Sequence, residues 1–156
     1  MKNILFFTIL FISSTAFAQA DTSIVKFVNP PFLSSPGGYS HSGEIDLGNS
    51  KMILISGQVA LDSKGNVVGK DDFKKQAEQV FLNIKDIVEN AGGTMDNIVK
   101  TGIFLVDISQ VSTFRHIRNK FINIKSPPTS TLVQVSKLFR DDLLLEIEAT
   151  AIIPKK

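Results

Sequence analysis

Apolar residues recur at intervals of three and four from residue 73 to residue 91, which is the period of one helical face. Asp71 and Asp72 precede this pattern and suit the positive end of a helix dipole, whereas Gly92 and Gly93 follow it and accept positive φ. The pattern therefore predicts a long amphipathic helix, with the apolar positions Phe73, Ala77, Val80, Phe81, Ile84, Ile87, Val88 and Ala91.

Short apolar runs before this helix predict three strands, at residues 24–28, 39–47 and 52–59. The third begins with four consecutive apolar residues, which is typical of a buried central strand. Residues 29–38 contain three prolines and two glycines and are predicted to form a loop between the first two strands.

A second helix is predicted after a fourth strand at residues 100–106. Its apolar stripe carries Val111, Phe114, Ile117 and Phe121, with Asp107 or Ser109 as the expected cap. We expect it to end at residues 126–128, Ser-Pro-Pro, because a residue before proline is pushed out of the helical region.

Two last strands, at residues 131–135 and 143–153, complete the predicted order of three strands, helix, strand, helix and two strands. This order indicates one α+β sheet with both helices on one face. The other face is too apolar for water, so we predict a homo-oligomer that covers it. The alternative is that loops and the N-terminal segment cover it.

The N-terminal residues have the pattern of a secretory signal. Lys2 is followed by an apolar stretch at residues 4–12 and by the small-x-small sequence Ala16-Phe17-Ala18. The stretch is shorter than the roughly 20 residues that span a bilayer, so cleavage is a better interpretation than a retained anchor. We predict a signal peptide at residues 1–18, or less favourably cleavage after Ala20, and one exported domain at residues 19–156, periplasmic or secreted, with no membrane contact after cleavage.

Composition excludes several kinds of chemistry. The chain has no cysteine, which excludes disulfides, a thiolate nucleophile and cysteine-based zinc sites. Loss of Lys2 with the signal lowers the formal charge from +2 to +1, and the basic residues are scattered among acids. We therefore expect no nucleic-acid partner, since such a partner requires a clustered basic surface.

Few side chains have the spacing of a known reactive site. His41 and His116 lack the spacing of a metal pair, so each is interpreted as a solvated or hydrogen-bonded histidine, and no metal site is predicted. Ser56 lacks the context of a nucleophile elbow.

Two short patterns remain as candidates. Ser56-Gly57-Gln58 ends an apolar strand with a residue that lets a ligand approach the backbone, although an ordinary strand-end turn has the same pattern. Glu146 and Glu148 project from one face of a strand, where like charges raise each other's pKa and suit general acid–base work. Two solvated acids on an outer face are the alternative.

Taken together in order, short motifs spread over residues 29–153 resemble the Rid (YjgF/YER057c/UK114) family, which includes the reactive-intermediate imine deaminases. These motifs are Gly38-Tyr39-Ser40, Ser56-Gly57-Gln58, Gln76, Asn83, Ala91-Gly92, Val99-Lys100-Thr101, Val106-Asp107 and Glu146-Ile147-Glu148-Ala149. The resemblance implies a chorismate-mutase-like α+β fold with a mixed sheet, a homotrimer, and small-molecule clefts between subunits. It also implies hydrolysis of an imine to a 2-oxo acid and ammonia, without metal or cofactor.

Residue by residue, the resemblance assigns Glu146 to the glutamate that helps position the attacking water. Ser56 and Gly57 correspond to the strand-end motif, and Tyr39 corresponds to the cleft tyrosine. The arginine that holds the substrate carboxylate is missing, because Ser130, or Thr129 with a shift of one, stands in its place.

A hydroxyl cannot form the two parallel charge-assisted bonds of a guanidinium. One such bond contributes about 1.5–3 kcal/mol, so we expect roughly 10- to 100-fold weaker carboxylate binding and an altered substrate range. Arg118, on the second helix, is a candidate for a replacement guanidinium from another wall.

Three functions are left open. The first is an imine or enamine deaminase with altered substrates, and the second is an exported trimer that binds a small molecule without catalysis. An RNA-cleaving or translation-inhibiting protein is the third, and it is disfavoured by export and by the near-neutral mature chain.

Overall fold

A computed structural model describes residues 23–155. The predicted signal peptide and both cleavage positions lie outside these residues. Six strands form one sheet: β1 (Val25–Val28), β2 (Ser42–Asp46), β3 (Ser50–Gln58), β4 (Ile98–Leu105), β5 (Thr129–Gln134) and β6 (Leu145–Pro154). Two α-helices accompany them, α1 (Phe73–Asn90) and α2 (Val111–Arg118), with short 3₁₀ turns at Met95–Asn97 and Ile108–Gln110.

The sheet has the strand order β1-β2-β3-β6-β4-β5, so the last strand of the chain lies in the middle. Every neighbouring pair is antiparallel except β4 and β5, which are parallel. Both helices pack on one face of the sheet, where one core cluster joins them to β3, β4 and β6. The predicted α+β fold with a mixed sheet and two helices on one face is confirmed.

Helix α1 begins and ends as its sequence predicts. The carboxylate of Asp72 caps the helix by accepting a hydrogen bond from the Lys75 N–H at 3.1 Å. The helix ends at Asn90, and Gly92 follows with φ of +84°. Its apolar stripe is buried against the sheet.

Helix α2 is shorter than predicted, because it ends at Arg118 and not at the Ser-Pro-Pro sequence. A tight turn follows, in which the Phe121 N–H donates to the Arg118 carbonyl at 2.9 Å. This turn brings Phe121 onto Phe81 of α1, with ring centroids 5.1 Å apart and nearly parallel planes. Packing of that ring replaces the expected extra helical turns. Asp107 is the cap of the preceding 3₁₀ turn.

Two amide side chains of α1 fix the segments that carry the candidate site. Gln76 donates to the Asp142 carbonyl at 2.8 Å and accepts from the Leu144 N–H at 2.9 Å, just before β6. Asn83 donates to the Val59 carbonyl at 3.1 Å, just after β3. The end of β3 and the start of β6 are therefore both fastened to the same helix.

Candidate active site

The carboxylate of Glu146 lies directly over Gly57. Ser56 and Gly57 occupy a bulge in the ladder between β3 and β6, where the register shifts between Ile55 and Gln58. A Cβ atom at position 57 would overlap Oε1 of Glu146 and would stand 3.0 Å from its Cγ. An alanine at position 57 would therefore force the Glu146 carboxylate to move, whereas glycine leaves room for it.

The carboxylate of Glu148 also lies over a glycine, on β4, which is the strand on the other side of β6 from β3. Glu148 pairs with Gly102 of β4, and a Cβ there would lie 2.6 Å from its Oε1. Both glutamates lie on the same face of β6, as predicted, and this is the face away from the helices, where Glu148 is exposed and Glu146 is half-buried. Burial raises the pKa of Glu146 above its usual value, and the nearby charge of Glu148 raises it further. Glu146 therefore keeps a proton more readily than an ordinary surface acid.

Ser56 fastens the loop that carries Tyr39. Its hydroxyl donates to the Ser40 carbonyl at 2.6 Å, and its backbone N–H donates to the His41 carbonyl at 3.0 Å. Because its hydroxyl proton is donated to the Ser40 carbonyl, Ser56 holds the backbone of Ser40 and His41 in place and is not arranged as a nucleophile.

Tyr39 stands at the edge of an open groove on the sheet face away from the helices. The groove has a volume of about 580 Å³, is lined by Phe27, Leu54, Tyr39 and Ser56 among others, and has the size of a small-molecule site. Burial raises the pKa of the Tyr39 phenol, and the negative charge of Glu146 adds to this effect. Tyr39, Ser56, Gly57 and Glu146 therefore lie close together within a single chain.

Ser130 and Arg118 lie together elsewhere, on the helix side of the sheet. The hydroxyls of Thr101 and Ser130 form a hydrogen bond of 3.1 Å, and both residues line a small pocket of about 20 Å³ with Arg118. The Arg118 guanidinium donates to Oδ1 of its neighbour Asn119, at 3.2 and 3.0 Å. In one chain the sheet separates this pair from Glu146.

The sequence interpretation missed two features of the site. Gly102 was not recognised as a seat for Glu148, although it follows a quoted motif directly. His41 is hydrogen-bonded through Nε2, which is one of its two predicted environments, but the sequence does not indicate that it is buried or that its Nδ1 has no partner. His116 is exposed on α2.

Over residues 23–155 we find no group of three or more His, Asp or Glu side chains placed to hold a metal ion. In the same part of the chain, none of the helices has the length and apolar character needed to cross a membrane.

Comparison with known proteins places these observations in a family. A family model described as endoribonuclease L-PSP matches residues 30–153. A 2-iminobutanoate/2-iminopropanoate deaminase of Salmonella typhimurium is 36% identical over 110 residues, covering 69% of this chain and 83% of the deaminase.

Solved structures agree with the sequence relatives. RidA from Psychrobacter sp. superposes with a TM-score of 0.71 at 31% identity, over 82% of this chain and 99% of RidA. TdcF of E. coli with bound serine gives a TM-score of 0.70 at 29% identity, over 83% and 99%. The resemblance drawn from the motifs is therefore confirmed, and the chain belongs to the endoribonuclease L-PSP (Rid) family.

Proposed function

We propose that this protein hydrolyses C=N bonds, as a deaminase that converts an imine or enamine to a carbonyl compound and ammonia. The observation that carries the proposal is the half-buried Glu146 carboxylate with its raised pKa, seated over Gly57 beside the groove of Tyr39. The similar Salmonella protein described as an imine deaminase supports the same chemistry.

Glu146 has the properties that both halves of this reaction need. As water adds to the imine carbon, the carboxylate accepts one proton from it and the C–O bond forms. This proton passes to the nitrogen as the C=N π bond opens, which gives a carbinolamine. The carboxylate then accepts the hydroxyl proton of the carbinolamine and returns it to the nitrogen as the C–N bond breaks, so that a C=O group forms and ammonia leaves. A carboxyl with a raised pKa, closer to the working pH, serves better than an ordinary glutamate both to accept this proton and to return it.

The substrate is proposed to differ from a simple 2-imino acid. Ser130, whose hydroxyl oxygen accepts a hydrogen bond from Thr101, offers a single neutral hydroxyl in place of a guanidinium, so a carboxylate would be held weakly. We propose either a substrate without that carboxylate or one whose anionic group contacts Arg118. Ligand binding that is unchanged by Arg118→Ala would exclude the second case.

A homotrimer with clefts between subunits is part of the proposal. Phe27 and Leu54 are 72% and 45% exposed on the face of the sheet that carries no helix, which supports coverage by other copies. A second copy would also allow the pocket of Ser130 and Arg118 to approach the site of Glu146. Light scattering should give three chain masses, and a single chain mass would overturn this part.

Export remains a proposal from the first 18 residues. Expression of the full chain in a bacterial host, followed by mass spectrometry of the periplasmic and secreted fractions, should find a mature N-terminus at Gln19 or Asp21. An intact Met1 in the cytoplasmic fraction alone would contradict it.

The decisive experiment follows ammonia release from enzymatically generated imines, with and without a carboxylate. Glu146→Gln should lower the rate above the spontaneous background by about 100-fold or more. Glu148→Gln is the matched control, since it changes the exposed acid on the same strand and should retain most of the rate. If the wild-type protein fails to accelerate the hydrolysis of every imine tested, the proposed hydrolase activity is overturned.

Non-catalytic binding of a small neutral molecule is the second candidate, and the hydroxyl pair of Thr101 and Ser130 favours it. In that case Glu146→Gln would leave ligand affinity nearly unchanged while no substrate is consumed.

A further inference from the structure

His41 ties the loop before β2 to the sheet through three contacts. Its Nε2 lies 2.7 Å from the Ser34 carbonyl, and since a carbonyl only accepts, Nε2 carries the proton. Its backbone N–H donates to Oδ1 of Asn29 at 2.9 Å, and its carbonyl accepts from the Ser56 N–H. The side chain is 3% exposed, so it acts from inside the protein.

The ring of His41 also contacts the ring of Tyr39. The two centroids are 5.4 Å apart and the planes meet at 75°, an edge-to-face arrangement. Over the described part of the chain, residues 35–39 make no hydrogen bond of their own, and Gly38 has φ of +94°. The place of Tyr39 is therefore set by the anchors on either side, at Ser34 and Ser40, and by this ring contact.

Nδ1 of His41 is buried and has no hydrogen-bond partner. A buried polar atom without a partner destabilises the fold, whereas the proton on Nε2 is satisfied by the Ser34 carbonyl. An apolar residue would fill the space but could not hold the Ser34 carbonyl.

We propose that His41 is the positioning residue for Tyr39, acting through the bond from Nε2 to the Ser34 carbonyl and through the edge-to-face contact of the two rings. It touches no reacting atom. This inference rests on the proposed function only in that it supposes a ligand that contacts Tyr39. The position of the Tyr39 ring itself can be measured without substrate.

Tyr39 is the only tyrosine and the chain has no tryptophan, so its fluorescence reports on this site alone. The amide nitrogen of glutamine reaches the place of Nε2, whereas that of asparagine reaches only the place of Nδ1. His41→Asn should increase acrylamide quenching of Tyr39, which is 49% exposed, by up to about twofold, whereas His41→Gln, which keeps the bond to Ser34 and loses only the ring contact, should increase it by less. His116→Gln, at the exposed histidine, is the control.

Equal quenching in wild type and a folded His41→Asn variant would overturn the proposal, and so would an equal increase in both His41 variants. If His41→Asn does not fold, nitrogen NMR of the unmodified protein decides. A proton on Nε2 with slow exchange is expected, and a neutral ring protonated on Nδ1 would overturn the proposal. With an active substrate, His41→Asn should raise KM and leave kcat nearly unchanged. Absence of activity in wild type would overturn the proposed function and leave the quenching result standing.

Discussion

The two faces of strand β6 differ in burial and in charge. Residues 145, 147, 149, 151 and 153 are buried beneath the helices, whereas the alternate residues 146, 148, 150 and 152 lie on the face without helices. On the first face Ile147 is fully buried in the core. On the second face Glu146 is seated over a glycine beside an open groove.

This difference separates the residues that stabilise the fold from the two glutamates of the candidate site, within ten residues of one strand. Apolar burial on the helix side fixes the strand, and the fixed strand then holds two carboxylates in place at low conformational freedom. Changes on the helix side should alter unfolding, and changes on the other side should alter reactivity and titration.

The largest expected effect comes from Ile147→Ala. Removal of a fully buried isoleucine should lower the free energy of unfolding by about 2–5 kcal/mol, since the cavity cannot close completely. Glu148→Gln on the opposite face should change it by less than about 0.5 kcal/mol. Urea unfolding at one fixed protein concentration measures both. Equal losses in the two variants would contradict the division between the faces.

Gly57→Ala should displace the Glu146 carboxylate, because the new Cβ would occupy its position. A displacement of this kind should reduce the Glu146-dependent rate by about 100-fold. Gly102→Ala is the matched control, since it crowds Glu148 from the other neighbouring strand. Similar rates in Gly57→Ala and Gly102→Ala would show that the position of the Glu146 carboxylate over Gly57 does not matter for the reaction.

The pKa of Glu146 gives the next effect, through the pH dependence of stability. A carboxyl whose pKa is raised in the folded state contributes stability below its ordinary value of 4.5, and this contribution is lost as pH rises through the raised pKa. Wild type should therefore lose stability relative to Glu146→Gln over that range. Unfolding curves at several pH values test this, and a parallel pH dependence of both proteins would contradict it.

Glu148→Gln sharpens the same measurement. It removes the smaller of the two causes, so the pKa of Glu146 should fall but remain above its ordinary value because burial persists. Carbon NMR titration of the Glu146 carboxyl measures the change. An unchanged pKa would mean that the two carboxylates do not interact.

The smallest expected effect is a change in the pKa of the Tyr39 phenol when Glu146 is replaced. Its phenol pKa is raised chiefly by burial and secondly by Glu146, so Glu146→Gln should lower it only part of the way towards 10.0. Absorbance titration of the single tyrosine gives this value directly. A rise in the pKa would contradict the placement of Tyr39 near Glu146.

Much of the fold follows from local pattern. Within residues 23–155, both helices and the six strands lie close to where helical spacing and apolar runs predict them, because these patterns depend on short-range geometry. The end of α2 was wrong, since stacking of Phe121 on Phe81 joins residues 40 positions apart and leaves no local signal. The candidate site was predicted only in part, because the neighbours of its residues also come from distant parts of the chain.

The sequence alone determined which residues of β6 share a face, where α1 begins and ends, and that cysteine chemistry is absent. Only the tertiary structure decided that Gly57 and Gly102 are seats for the two glutamates, that His41 is buried beside Tyr39, and that Ser130 faces the helix side with Arg118. These properties depend on neighbours brought together from distant parts of the chain. Periodicity reports the direction in which a side chain points, and packing determines what it meets there.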